Sequence, residues 1–275
     1  MKLFELRTRH GARCRLQSSG AHILSWQPAH GPEQLFLSRQ SGIGSGVPVR
    51  GGIPIVFPQF ADLGKLPKHG LVRQREWQFR QMIQAADEHS CLFTIADDER
   101  TRAVWPHRFQ LEYAVCLRDN SLQLTLSVEN RDQHDWSFQS ALHSYFGLGL
   151  GQAKLTGLQH KPYFDRHRLQ SIAASTEPQL VINSSMDRIY RHDRGLLQLQ
   201  QQGACLSIKD EGFANKVIWT PWSEQAGLID DLAPDEGQRF VCIESANVSP
   251  ALTLAAGETW RGQVCYQFQA VLPLS

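Results

Sequence analysis

The chain of 275 residues has no run of 18 consecutive apolar residues, no C-x-x-C pair, no block of like charges and almost no helical periodicity. Each absence removes a class of protein. Without the apolar run there is no helix able to span a bilayer. The N-terminal M-K-L-F-E-L-R-T-R-H-G turns polar too soon to form a signal-peptide core, so a cytoplasmic protein without a membrane partner is expected. A disulfide framework is not expected in so large a chain, and the six cysteines are read as buried reduced thiols. Cys14, Cys116, Cys242 and Cys265 lie in strand-like apolar runs, where a thiol packs as a small hydrophobe. The balance of 28 basic against 27 acidic residues excludes a generic polyanion binder, whose footprint is a basic excess; no nucleic-acid partner is expected. Repeats, low-complexity tracts and Pro/Gly/Ser-rich linkers are missing too, and residues 1–275 read as one domain.

What the chain does have is period-two alternation. Phe109, Leu111, Tyr113, Val115 and Leu117 alternate with mostly polar neighbours, and Leu122, Leu124, Leu126 and Val128 repeat the pattern after D-N-S. Residues 109–129 therefore read as a hairpin. Val264, Tyr266, Phe268 and Ala270 alternate likewise. Further strands are expected at 13–17, 21–27, 76–83, 90–95, 152–158, 196–200, 204–209, 216–220 and 239–244. Helix is confined to one turn before Pro106 and another in S-M-D-R-I-Y-R. With 41% apolar and 20% charged residues, the composition is that of a soluble all-β protein: a large antiparallel sandwich or barrel with very little helix.

One loop concentrates cations. Between Val49 and Trp77, Arg50, Lys68, His69 and Arg73 sit on a backbone broken by Pro54, Pro58, Pro67, Gly51, Gly52, Gly64 and Gly70, which limit it to turns and short extended pieces. Guanidinium, ammonium and imidazole groups on a stiff loop suit an anionic ligand. Three other places carry chemistry. His143 lies in A-L-H-S-Y-F-G-L-G-L among aromatics, where a satisfied core histidine is the ordinary alternative. Asp187 in M-D-R-I-Y either caps a helical turn or contacts a ligand. Glu244 ends the apolar run F-V-C-I, where partial desolvation would raise its pKa toward that of a base working near neutrality.

In order along the chain, R-G-G-I-P, L-P-K-H-G-L-V-R, T-R-A-V-W-P-H-R-F, L-H-S-Y-F, M-D-R-I-Y, W-T-P-W and C-I-E-S-A-N-V resemble the glucose-6-phosphate 1-epimerase branch of the aldose 1-epimerase (galactose mutarotase-like) family. The resemblance covers residues 20 to 270. It implies a large antiparallel β-supersandwich with a concave active face, no metal and no organic cofactor. It also implies that His143 and Glu244 are catalytic, that Arg50, Arg73 and Asp187 bind substrate, and that His69 assists binding. Lys68 departs from the family pattern, which favours a neutral residue there; it either adds charge to the anion site or points to solvent. Ser144 stands where the free-sugar branch favours proline.

The implied reaction opens the sugar ring, with Glu244 taking the anomeric hydroxyl proton and His143 donating to the ring oxygen. A neighbouring carboxylate is expected to raise the His143 pKa. The expected substrate is a small hexose 6-phosphate, bound by a monomer. Competing readings are an aldose 1-epimerase of free hexoses, a non-catalytic carbohydrate-binding module, and a glycoside hydrolase using Asp187 with Glu244.

Overall fold

The structure is a computed structural model that describes residues 1–43, 49–149, 153–174, 176–191, 195–201 and 203–271. The alternating segments become strands because one face of each is wholly apolar. In Phe109–Arg118 the side chains of Phe109, Leu111, Tyr113, Val115 and Leu117 are buried, while their neighbours are half-buried or exposed. Ser121–Asn130 pairs with it antiparallel, from Phe109 opposite Asn130 to Arg118 opposite Ser121, across the expected tight turn. Each large side chain so buried contributes roughly 1.5–3 kcal/mol relative to exposure.

Among the described residues three antiparallel sheets result. The largest has nine strands in the spatial order Leu180–Ile182, Ala153–Thr156, Leu196–Gln201, Ala204–Glu211, Thr259–Ala270, Ser121–Asn130, Phe109–Arg118, His89–Ala96 and Gln78–Gln84. The second runs Gln170–Ile172, Tyr163–Asp165, Met186–Arg191, Asn215–Thr220, Phe240–Leu254, Trp136–Leu142 and Ile55–Val56, and Tyr145–Gly147 also pairs with Phe240–Leu254. Leu3–Arg7, Arg13–Gln17 and His22–Gln27 form the third. Side chains of the two large sheets meet between them: Phe146 packs edge-on against Tyr266 and Phe138 against Trp260. The fold is a large antiparallel β-sandwich, as the alternation predicts.

One helical turn, Glu99–Val104, lies where expected, capped by Asp98. The other expectation fails. Met186–Arg191 is a strand, paired with Tyr163–Asp165 on one side and Asn215–Thr220 on the other. Two ladders of backbone hydrogen bonds override a weak local preference for a turn. Phe240–Leu254 runs far past the expected end at 244, and a register shift between Asn247 and Leu252 accommodates its bend. Of the expected strand 152–158, residue 152 lies outside the described residues. All six cysteines are free; Cys116 and Cys265 are half-buried rather than buried. Among the described residues no helix is long and apolar enough to cross a membrane.

The cation loop folds as its composition dictates. Gly52 has φ +63°, and a Cβ there would lie 2.1 Å from the Ile23 carbonyl oxygen. Gly70 has φ +80° and would place a Cβ 2.1 Å from the Phe57 oxygen. Both positions need glycine, for sign of φ and for space. These approaches hold the loop against Ile23 of the three-stranded sheet at one end and against Phe57 at the other.

Candidate active site

Glu244 sits mid-strand, opposite Val217, with its side chain 1% exposed. His143 follows the last residue of Trp136–Leu142, and its amide donates to the Pro54 carbonyl oxygen at 3.0 Å. Because Leu142 pairs with Ser245, the two candidate residues are carried side by side by adjacent strands, and His143 Nε2 lies 3.4 Å from Glu244 Oε1. The imidazole stacks on Tyr145 (ring centroids 4.7 Å apart, 10° between planes) and meets His69 edge-on.

The cleft around this pair is lined by Arg50, Lys68, His69, Arg166, Asp187 and Trp219 besides His143 and Glu244. His69 is buried with φ +67°. Its Nδ1 accepts the Ala61 amide at 3.3 Å, so Nε2 carries the ring proton and can donate. Asp187 Oδ2 accepts from Arg166 Nη1 at 3.0 Å, and Arg166 Nη2 also reaches Asp62 at 3.1 Å. Lys68 is exposed yet lines the cleft, so it meets solvent and site at once.

The arginine cluster is looser than the sequence suggests. Arg50 Nε donates to Asp231 Oδ1 at 2.9 Å and Nη1 to the Tyr145 hydroxyl at 3.1 Å. Burial opposes its charge, but Tyr145 and Asp231 outweigh burial and keep it protonated. Arg73 is half-buried beside Tyr145, Arg50 and Asp231 and is not part of the cleft lining. Among the described residues it makes no ion pair, and burial together with Arg50 lowers its pKa.

Burial pushes the Glu244 carboxyl well above its ordinary range, with Asp187 adding to the effect and Arg166 opposing it. This is the direction expected from the sequence. His143 moves opposite to expectation. Burial first, then His69, Arg50 and Arg73, pushes its imidazole well below 6.5. The burial that raises Glu244 disfavours the imidazolium as well, and the neighbouring cations add to it. His69 falls to about 3, from burial and then Arg73, Lys68, Arg50 and Arg166. Asp187 is raised by burial against the pull of Arg166. Three buried atoms of the site have no hydrogen-bond partner among the described residues: His143 Nδ1, Glu244 Oε2 and Asp187 Oδ1. The arrangement thus offers a proton donor and acceptor 3.4 Å apart, with unsatisfied polar atoms around them.

The structure brings His143, Glu244, Asp187, His69, Lys68 and Arg50 to one cleft and leaves Arg73 outside its lining. Sequence reasoning missed Arg166, Asp231 and Trp219. W-T-P-W offered a signal for Trp219; Arg166 and Asp231 lie in irregular segments with none. Among the described residues no three His, Cys, Asp or Glu side chains converge to hold a metal ion.

The family model for aldose 1-epimerase matches residues 2–267. A protein of Cenchrus ciliaris provisionally named glucose-6-phosphate 1-epimerase is 28% identical over 89% of this chain and 78% of its own. An Escherichia coli protein with the same provisional name is 28% identical over 84% and 78%. The crystal structure of a protein from Salmonella typhimurium, provisionally named a mutarotase, superposes with a TM-score of 0.89 over 98% of this chain and 90% of its own. Its sequence is 24% identical, so that likeness concerns the fold.

Proposed function

The chain belongs to the aldose 1-epimerase family, and from that premise we propose that it interconverts the α and β anomers of a hexose 6-phosphate, D-glucose 6-phosphate first among them. The observation that carries the reading is the set of three unpartnered buried atoms, on His143, Glu244 and Asp187, in a cleft rimmed by Arg50, Lys68 and Arg166. Each such atom costs about 1–3 kcal/mol while unsatisfied. A polyhydroxyl ring supplies the missing donors and acceptors, and an anionic substituent suits the rim.

Burial acts on both groups in the sense that favours a neutral imidazole beside a neutral carboxyl, and the proposed cycle starts from that pair. Passing one proton across the 3.4 Å gap yields imidazolium and carboxylate, the form that starts the reaction. Glu244 takes the proton of the anomeric hydroxyl while His143 gives one to the ring oxygen, and the ring bond breaks. Rotation about the first carbon–carbon bond and closure on the other face run both transfers backwards. The open-chain intermediate therefore faces the neutral pair, the state that burial favours. Each positioned proton transfer is worth roughly 10²–10⁴-fold in rate. His69 donates through Nε2, and Asp187 with Arg166 orients the hydroxyls. Arg50, Arg73 and Lys68 hold the phosphate, whose charge of about −1.5 to −2 suits guanidinium forks.

One observation favours a second reading, the epimerisation of free hexoses: Asp231 already occupies Arg50, and Arg73 stands off the cleft lining. Comparing kcat/KM on glucose 6-phosphate, glucose and galactose decides between them. For the phosphosugar reading, Arg73→Ala raises KM for glucose 6-phosphate roughly tenfold or more and leaves free hexoses unaffected. Equal losses on both would contradict it.

A further inference from the structure

Behind the site lies a layer of polar groups that the chemistry does not use. Ser144 follows His143 and Ser245 follows Glu244; strand alternation turns Ser245 away from the cleft, and neither serine is part of the cleft lining. Ser144 Oγ is 2.6 Å from the Tyr266 hydroxyl, and Tyr266 belongs to the nine-stranded sheet. Ser245 Oγ accepts from Lys216 Nζ at 2.6 Å. Lys216 also pairs with Asp210 of the nine-stranded sheet, both side chains wholly buried. Lys216 lies directly opposite Ser245 in the ladder, and its neighbour Val217, which lines the cleft, lies opposite Glu244.

A buried ion pair is poor evidence for stability, because apolar side chains of similar volume are often as stable or more so. What the pair supplies is direction. An ammonium held by a carboxylate and a hydroxyl has few positions open to it. Here those two groups belong to different sheets, and the hydroxyl is one residue from Glu244. We propose that Lys216, fixed by Asp210 and Ser245, is a positioning residue for Glu244, tying the strand that carries the carboxylate to the opposite sheet so that the 3.4 Å approach to His143 is held. This rests on the epimerase reading for its consequence in rate. Misplacement of a reacting group by about 1 Å can cost on the order of 10²-fold.

The test replaces the pair as a unit, since removing one partner strands a buried charge. Lys216→Met with Asp210→Val is expected to fold with a melting temperature close to that of wild type. Its KM for the preferred sugar should stay within about twofold, while kcat falls roughly 10- to 100-fold. Ser245→Ala, which leaves the ion pair in place, is expected to lower kcat in the same direction by a smaller factor with KM unchanged. It carries the test if the double variant does not fold. The imidazole proton resonances of His143, assigned with a His143→Gln variant, should move in both variants. A folded double variant, or Ser245→Ala alone, with wild-type kcat and unmoved His143 resonances overturns the proposal. If wild type accelerates no sugar's anomerisation, the epimerase reading fails, and the resonances alone decide the positioning claim.

Discussion

Glu244 is a buried carboxyl at the centre of the candidate site. It is 1% exposed, one carboxylate oxygen has no partner, and burial raises its folded pKa above the ordinary 4.5. The sign for stability follows: the neutral carboxyl supports the fold, fully so below the unfolded value, and that support is lost as pH rises toward the folded value. Glu244→Gln keeps the shape without the ionisation. Denaturant unfolding should show the variant gaining on wild type as pH rises above about 4.5, with activity falling at least about 10²-fold. Equal pH dependence of the two unfolding curves would contradict the assignment. Arg50 and Asp231 offer a second test. Because Asp231 takes one face of the guanidinium, Asp231→Asn should lower KM for a phosphosugar severalfold if the phosphate competes for Arg50. An unchanged KM would argue that the anion sits elsewhere.

At the scale of elements, two devices build the site: the pairing of Leu142 with Ser245, which sets His143 beside Glu244, and the glycines that let the cation loop pass close to Ile23 and Phe57. Gly52→Ala should destabilise the protein by about 2–4 kcal/mol, since the backbone strain and the overlap with Ile23 both apply. A shift below about 0.5 kcal/mol in urea unfolding would refute this account of the loop. The strands with clean alternation, such as Phe109–Arg118, were legible in the sequence because burial alone selects them. Met186–Arg191 was not, because its ladder partners are remote in sequence and its burial is irregular. His143, Glu244 and Asp187 were legible through their motifs. Arg166 was not: its role comes from a turn that carries it onto Asp187, and no local pattern announces that approach.

At the scale of the whole molecule, the buried histidines set the acid limit of stability. Burial lowers His22 from 6.5 to about 4, partly offset by its hydrogen bond to the Gly51 carbonyl, and His69 falls to about 3. A folded value below the unfolded one means stability that is intact above pH 6.5 and lost as pH falls through the range from 6.5 to 3. His22 alone, dropping from 6.5 to about 4, corresponds to roughly 3 kcal/mol. Glu244 contributes with the opposite sign as pH falls, so the deciding comparison is between wild type and His22→Gln: between pH 7 and pH 4 the wild type should lose stability relative to the variant, and parallel unfolding profiles would place His22 in wetter surroundings than the fold gives it.

The central claim is that one buried pair moves protons to open and close a sugar ring. Exchange NMR on equilibrated glucose 6-phosphate reads that interconversion directly, without a coupling enzyme. The account predicts anomer exchange far above the spontaneous rate with wild type, and a return to nearly the spontaneous rate with Glu244→Gln. Wild-type exchange no faster than the buffer control, or a Glu244→Gln variant as fast as wild type, would contradict it.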